Sequence, residues 1–145
     1  LKTITDEFTK SGLLPVEADF TRNINFTTQG TSFGIETIRF RAIDYEKPTS
    51  ERHAHVGRIV ADIIRAAKKN NVQIVELPRC DRPTDTIGIS KGVSKVDGTA
   101  VLIDALGAYA KEKGNHELAN LATDAADRVR NLAKSFSSPK EQVRI

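Results

Sequence analysis

The stretch Glu51-Arg-His-Ala-His-Val56-Gly-Arg-Ile-Val60-Ala-Asp-Ile-Ile-Arg65-Ala-Ala-Lys-Lys-Asn70-Asn-Val72-Gln-Ile-Val-Glu76-Leu-Pro78 decides the fold. Val56, Ile59, Val60, Ile63, Ile64 and Ala67 recur at i, i+3, i+4 and i+7, which draws one apolar stripe along a helix. Lys68 and Lys69 suit the negative end of that helix, and an asparagine after them can take the left-handed stop. Val72 to Pro78 is then mostly apolar and reads as an interior strand. A helix running straight into a strand is the signature of an α/β unit.

Upstream, Ser50 is the expected N-cap, with Glu51 in the first turn. Asn23 to Thr28 and Phe33 to Ile43 alternate polar and apolar residues around a turn at Gln29-Gly-Thr-Ser32, which predicts a β-hairpin. On the second strand, strict alternation puts Phe33, Ile35, Thr37, Arg39 and Arg41 on one face and Glu36, Ile38, Phe40 and Ala42 on the other. Leu13 to Phe20 carries Pro15 and reads as an edge strand or an approach to one. Ile4 and Phe8 allow a short first helix ending at Ser11-Gly12.

Downstream, Arg79 to Gly98 reads as a long basic loop in which only Thr86-Ile-Gly-Ile89 can add a short strand. Thr99 is expected to cap a helix from Ala100 to Lys113, stopped by Gly114, and Asn115 to cap a second one reaching Phe136. The fold expected is α/β, in the order β-β-α-β-α-α. It comprises a small mixed sheet with a β-hairpin, a right-handed crossover helix leading to a parallel central strand, and a C-terminal helical hairpin packed on the sheet. Residues 1–136 are expected to form a single domain and 137–145 a flexible tail. Core positions expected include Ile35, Phe40, Ile63, Ile74, Val75, Leu106, Val129 and Leu132.

With 145 residues, 39% of them hydrophobic and 28% charged, the chain has the composition of one globular domain, and no apolar run is long enough to span a bilayer. Membrane insertion is not expected. One cysteine, Cys80, cannot form an internal disulfide, which suits a reducing compartment and makes the cytoplasm the expected location. The first residues lack a signal-peptide pattern and methionine is absent throughout, so the chain reads as a processed or excised piece.

Charge is distributed unevenly. Arg39 to Lys95 holds twelve Lys and Arg against seven Asp and Glu, a balance of +5 in a chain whose net charge is +3. A basic middle admits an anionic partner, either a protein or a nucleic acid, and the residues to carry it are Arg39, Arg41, Arg58, Arg65, Arg79, Arg82, Lys91 and Lys95.

Catalytic patterns meet obstacles of context. Gly88-Ile-Ser90-Lys-Gly92 matches G-x-S-x-G, but a nucleophile elbow needs a helix after the turn and Gly92 to Gly98 does not read as one. His53 and His55 point about 200° apart on a helix, so a shared metal is not expected of them. Cys80 lies between Arg79 and Arg82, a setting that lowers a thiol pKa, yet it has no assigned base.

Two resemblances bear on function. Asp19, Glu76, Asp124 and Asp127, with Thr123-Asp-Ala-Ala-Asp127 as the closest local match, resemble in order and spacing the carboxylates of RNase H-like nucleases of the RuvC resolvase type. That resemblance implies a divalent-metal-dependent DNA nuclease using Mg²⁺, in which those four acids hold the ions. Ala61 to Pro78, together with Ile103-Asp-Ala-Leu-Gly-Ala-Tyr109, is similar to the cytoplasmic domain of the FlhB/YscU export-switch proteins of flagellar and type III secretion. It implies a protein-binding module without a cofactor. Gln29 and Gly30 stand where that family has the asparagine and proline of its self-cleavage turn, so self-cleavage is not implied. A non-enzymatic interaction module is the leading expectation, and the nuclease is the alternative.

Overall fold

The computed structural model describes residues 2–13, 16–27, 30–42, 46–77, 86–90 and 95–137. Its elements are α1 (Lys2–Ser11), β1 (Val16–Thr27), β2 (Gly30–Ala42), α2 (Thr49–Lys69), β3 (Ile74–Glu76), β4 (Thr86–Ile89), α3 (Lys95–Glu112) and α4 (His116–Ser137). The α/β class, the hairpin, the helix leading into a strand and the C-terminal helical hairpin on the sheet are all present.

The sheet runs β1-β2-β4-β3, and each of its three pairings is antiparallel. This corrects the mixed sheet and the parallel central strand. β3 pairs with β4 and lies at an edge, while β4 takes the interior place. Burial gives the reason: in β3 only Ile74 is buried, whereas Thr86, Ile87 and Gly88 of β4 are buried in succession, as a strand flanked on both sides requires. Val75, expected in the core, is 38% exposed because alternation turns it away from the helices.

The hairpin also differs in detail. β1 is one strand of twelve residues that absorbs the stretch expected as a separate edge segment, and Gly30, Thr31 and Ser32 belong to β2 rather than to a turn. Thr27 stands opposite Gly30, with residues 28–29 outside the described ones. Pairing shifts register between Thr21↔Thr37 and Arg22↔Ile35, leaving Glu36 as an extra residue on β2, a β-bulge. The bulge reverses the alternation. Ile35 and Phe33 therefore share a face with Ile38 and Phe40, instead of the face of Arg39 and Arg41 that strict alternation predicts.

Val16, Ala18, Ile38, Phe40, Ile87 and Ile74 all lie on that one face by register, and each is buried. Helices α2 and α3 pack against the sheet, and α3 also packs on α2 and α4. Val56, Ile59, Val60, Ile63, Ala66 and Ala67 of α2 are buried, which is the expected stripe with Ala66 added and with Ile64 only partly buried at its margin. The helix starts at Thr49 with Pro48 preceding it and no side-chain cap, so Ser50 lies inside the first turn. Asn71 does adopt positive φ (59°), and Val72 N–H donates to the Ala67 carbonyl at 2.9 Å to close the end.

Gly12 (φ 83°) ends α1 and Gly114 (φ 80°) ends α3, each in a conformation that favours glycine. The Asn115 side-chain oxygen accepts the Leu118 N–H at 3.1 Å, which caps α4. α3 begins at Lys95, earlier than Thr99, because Gly98 and Ala100 are buried and tertiary burial outweighs the turn-like composition of Lys95-Val-Asp-Gly98. Leu132 is 57% exposed; it lies past the Arg130–Asp104 ion pair, in turns of α4 that outrun the buried stretch Leu118 to Ala126. No described helix is long and apolar enough to cross a membrane.

Candidate interaction surface

The expected basic residues fall into separate groups. Arg39 and Arg41 lie on the sheet face turned away from the helices, Arg39 exposed and Arg41 half-buried. Register places Asp19 opposite Arg39 and Glu17 opposite Arg41, so each arginine has an acidic residue as its cross-strand neighbour.

Arg58 and Arg65 are both exposed on α2. Seven residues apart, they sit on one line about 10 Å long. Lys68 and Lys69 extend the same face, and sequence reasoning passed over them as a last-turn feature although their spacing from Arg65 carried the signal. Beyond them, Asp62, Arg65, Lys69, Tyr109, Glu112 and Lys113 line a groove of about 200 Å³ between α2 and α3. Asp62 pairs with Arg65 and with Lys113 (3.5 Å), and Lys69 pairs with Glu112 (3.7 Å). Lys113 Nζ also sits 5.6 Å from the centre of the Tyr109 ring, within cation–π range. Tyr109 is buried and donates its hydroxyl to the Leu13 carbonyl at 2.9 Å, and burial, then the Asp62 charge, raises its pKa above the ordinary value. Arg79, Arg82 and Lys91 lie outside the described residues, and Lys95 is the first residue of α3.

The four acids of the nuclease alternative are dispersed. Asp19 is on edge strand β1 and Glu76 on the opposite edge strand β3, three strand spacings or about 14 Å across the sheet. Register also puts them on opposite faces: Asp19 pairs with Arg39 on the outer face, while Glu76 pairs with Ile87 and so shares the face of Ile38. Asp124 and Asp127 are exposed on α4, and Asp127 lies 3.7 Å from Arg130. Among the described residues no group of three or more His, Cys, Asp or Glu could hold a metal ion.

The remaining motifs place as follows. His53 and His55 are half-exposed on α2, where helical geometry directs them apart. Ser90 follows β4 and a helix does come after it, starting at Lys95, so the coarse order of a nucleophile elbow is met, contrary to expectation. Ser90 N–H donates to the Gln73 carbonyl at 3.0 Å, which holds it to the end of β3, and the four residues between it and α3 lie outside the described ones. Cys80 also lies outside the described residues.

No family model, curated protein or solved structure matches this chain. The export-switch and resolvase resemblances accordingly stand on the residues quoted for them. What the geometry adds is a face of α2 on which Arg58, Arg65, Lys68 and Lys69 outnumber the single acid, Asp62, set among them.

Proposed function

We propose that this chain is a non-enzymatic interaction module of a larger protein or assembly in the cytoplasm, binding a protein or other anionic partner through the basic face of α2. The observation that supports it is the alignment of Arg58, Arg65, Lys68 and Lys69 along one exposed helix face. Such a row meets an acidic surface or a phosphate backbone without any pocket, and its attraction is long-range and screened by salt. The similarity of Ala61 to Pro78 to the export-switch domains points the same way, towards a protein partner.

The test is fluorescence anisotropy with two labelled probes, a polyglutamate peptide and a DNA duplex, at 0.05 to 0.2 M salt. Wild type binds both weakly at low salt. About three phosphate contacts would cost DNA affinity roughly fortyfold across that range. Arg58→Gln with Arg65→Gln lowers affinity about tenfold for both probes, while Arg39→Gln leaves it unchanged. Equal binding by the Arg58/Arg65 variant refutes the surface, and Mn²⁺-dependent nicking of branched DNA refutes the non-enzymatic reading.

A further inference from the structure

A second surface carries the opposite charge. Between α1 and the first turns of α4 runs a groove of about 440 Å³, floored by Leu118 and Leu121 and edged by Glu7, Glu117 and Asp124. Glu7 lies 3.8 Å from Lys10, whereas among the described residues no ion pair engages Glu117 or Asp124. Both are exposed and they are seven residues apart on α4. On α2, Arg58 and Arg65 are likewise exposed and seven apart; among the described residues no ion pair engages Arg58, while Arg65 pairs with Asp62 of its own helix.

The two rows match in length as well as sign. Each spans about 10 Å of helix with both charges on one line, so two helices laid side by side bring both pairs together at once. Between the arginines the α2 surface carries Asp62, half-exposed and paired with Arg65 and Lys113, with Ala61, exposed and small, beside it; between the carboxylates stands Leu121, half-buried, so on contact Arg65 exchanges its partner on its own helix for a carboxylate of the other copy. Arginine stems are apolar and can cover leucine while the guanidinium reaches a carboxylate at the rim.

We infer that the groove between α1 and α4 receives the Arg58–Arg65 face of α2 from a second copy of this chain. The inference rests on the proposed role of α2 as the binding face, and names its partner. α3 packs against both α2 and α4, and so separates the donor row from the acceptor groove within one molecule. A contact between unlike surfaces propagates head to tail, adding copies to a chain or closing a ring. Because its charges are exposed, the association is weak, with a dissociation constant of about 0.1 to 1 mM at low ionic strength.

Sedimentation equilibrium tests it, run up to millimolar protein at 0.05 M and 0.5 M salt. Wild type shows a mass rising with concentration at low salt and a monomer at high salt. The Arg58→Gln/Arg65→Gln and Glu117→Gln/Asp124→Asn double variants are each monomeric alone, and an equimolar mixture stops at a 1:1 dimer, since only one competent interface is left. The quadruple charge exchange, Arg58→Glu, Arg65→Glu, Glu117→Lys and Asp124→Lys, restores association. A wild type that stays monomeric at low salt overturns the inference, and it leaves the proposed function intact if polyglutamate still binds through Arg58 and Arg65. Association that survives either double variant, or a mixture that grows past a dimer, overturns it as well. Circular dichroism of each variant confirms that these surface changes leave the fold in place.

Discussion

Gly107 is a point of close approach in the helical hairpin. A methyl group built on it would stand 3.1 Å from the Cβ of Ala122 and 3.7 Å from the Ala119 carbonyl oxygen. Gly107→Ala gains about 1 kcal/mol of helix propensity, but the overlap with Ala122 forces α3 and α4 apart at a cost of about 2 kcal/mol, for a net loss near 1 kcal/mol. Ala122→Gly loses about 1 kcal/mol of propensity and roughly another 1 kcal/mol for a buried methyl, about 2 kcal/mol in all. The double variant only moves a methyl across the interface: volume is conserved, propensity cancels, and stability returns to within about 1 kcal/mol of wild type. Urea unfolding of the four proteins gives a coupling energy of about 2 to 3 kcal/mol. Single effects that add to within about 0.5 kcal/mol would show that the two helices are not in contact at Gly107.

Three further outcomes are expected. Ile63→Asp, which places a carboxylate at a fully buried position in α2, costs several kcal/mol and abolishes the cooperative thermal transition; a melting temperature within a few degrees of wild type refutes the placement of that stripe. Tyr109→Phe strips the Leu13 carbonyl of its donor and costs about 1 to 2 kcal/mol at neutral pH by urea unfolding. Because the folded-state pKa of Tyr109 is raised, the folded form holds its proton at higher pH than the unfolded form: the associated stability is complete below the ordinary tyrosine pKa of 10.0 and is lost as pH rises through the folded value. Alkaline titration of stability should therefore fall less steeply in Tyr109→Phe than in wild type, and parallel curves contradict the assignment. Millimolar Mg²⁺ or Mn²⁺ shifts the melting temperature by less than about 1 °C, since Asp19 and Glu76 lie on opposite edges and faces of the sheet; a Mn²⁺ stabilisation abolished by Glu76→Gln refutes that geometry.

Much of the fold is legible where a single period governs a long segment. The α2 stripe, the stops at Gly12, Asn71 and Gly114, and the Asn115 cap follow from local chemistry that tertiary context does not override. Strand partners are another matter. Nothing in Val72 to Leu77 distinguishes an edge from an interior strand, because the difference lies in which neighbour arrives, and β4 is four residues long with a glycine in it. The bulge at Glu36 is invisible to an alternation count, since one unpaired residue leaves the sequence pattern intact while reversing its meaning. For the surface, charge density singled out the middle of the chain, but register pairs Arg39 and Arg41 with acids and helical spacing groups Arg58 with Arg65, and both facts need the elements in place. The acidic row at Glu117 and Asp124 carries the same seven-residue signal as the basic one, but the nuclease pattern takes Asp124 for its metal set and leaves Glu117 out.

The strand order has a kinetic meaning. β1 with β2, β3 with β4, and α3 with α4 are each formed by neighbours in the chain, and each can assemble in microseconds without reference to the rest. Among the strand pairings of the described residues, only β2 with β4 joins distant residues, Thr37 to Gly88 and Arg39 to Thr86, with the whole of α2 looped between them. Closing that loop costs entropy that three residue pairs do not offset alone, so the packing of α2 and α3 on β2 shares it. Ile87, buried on β4 and opposite the equally buried Ile38, ties the sequence before α2 to the sequence after it inside the core.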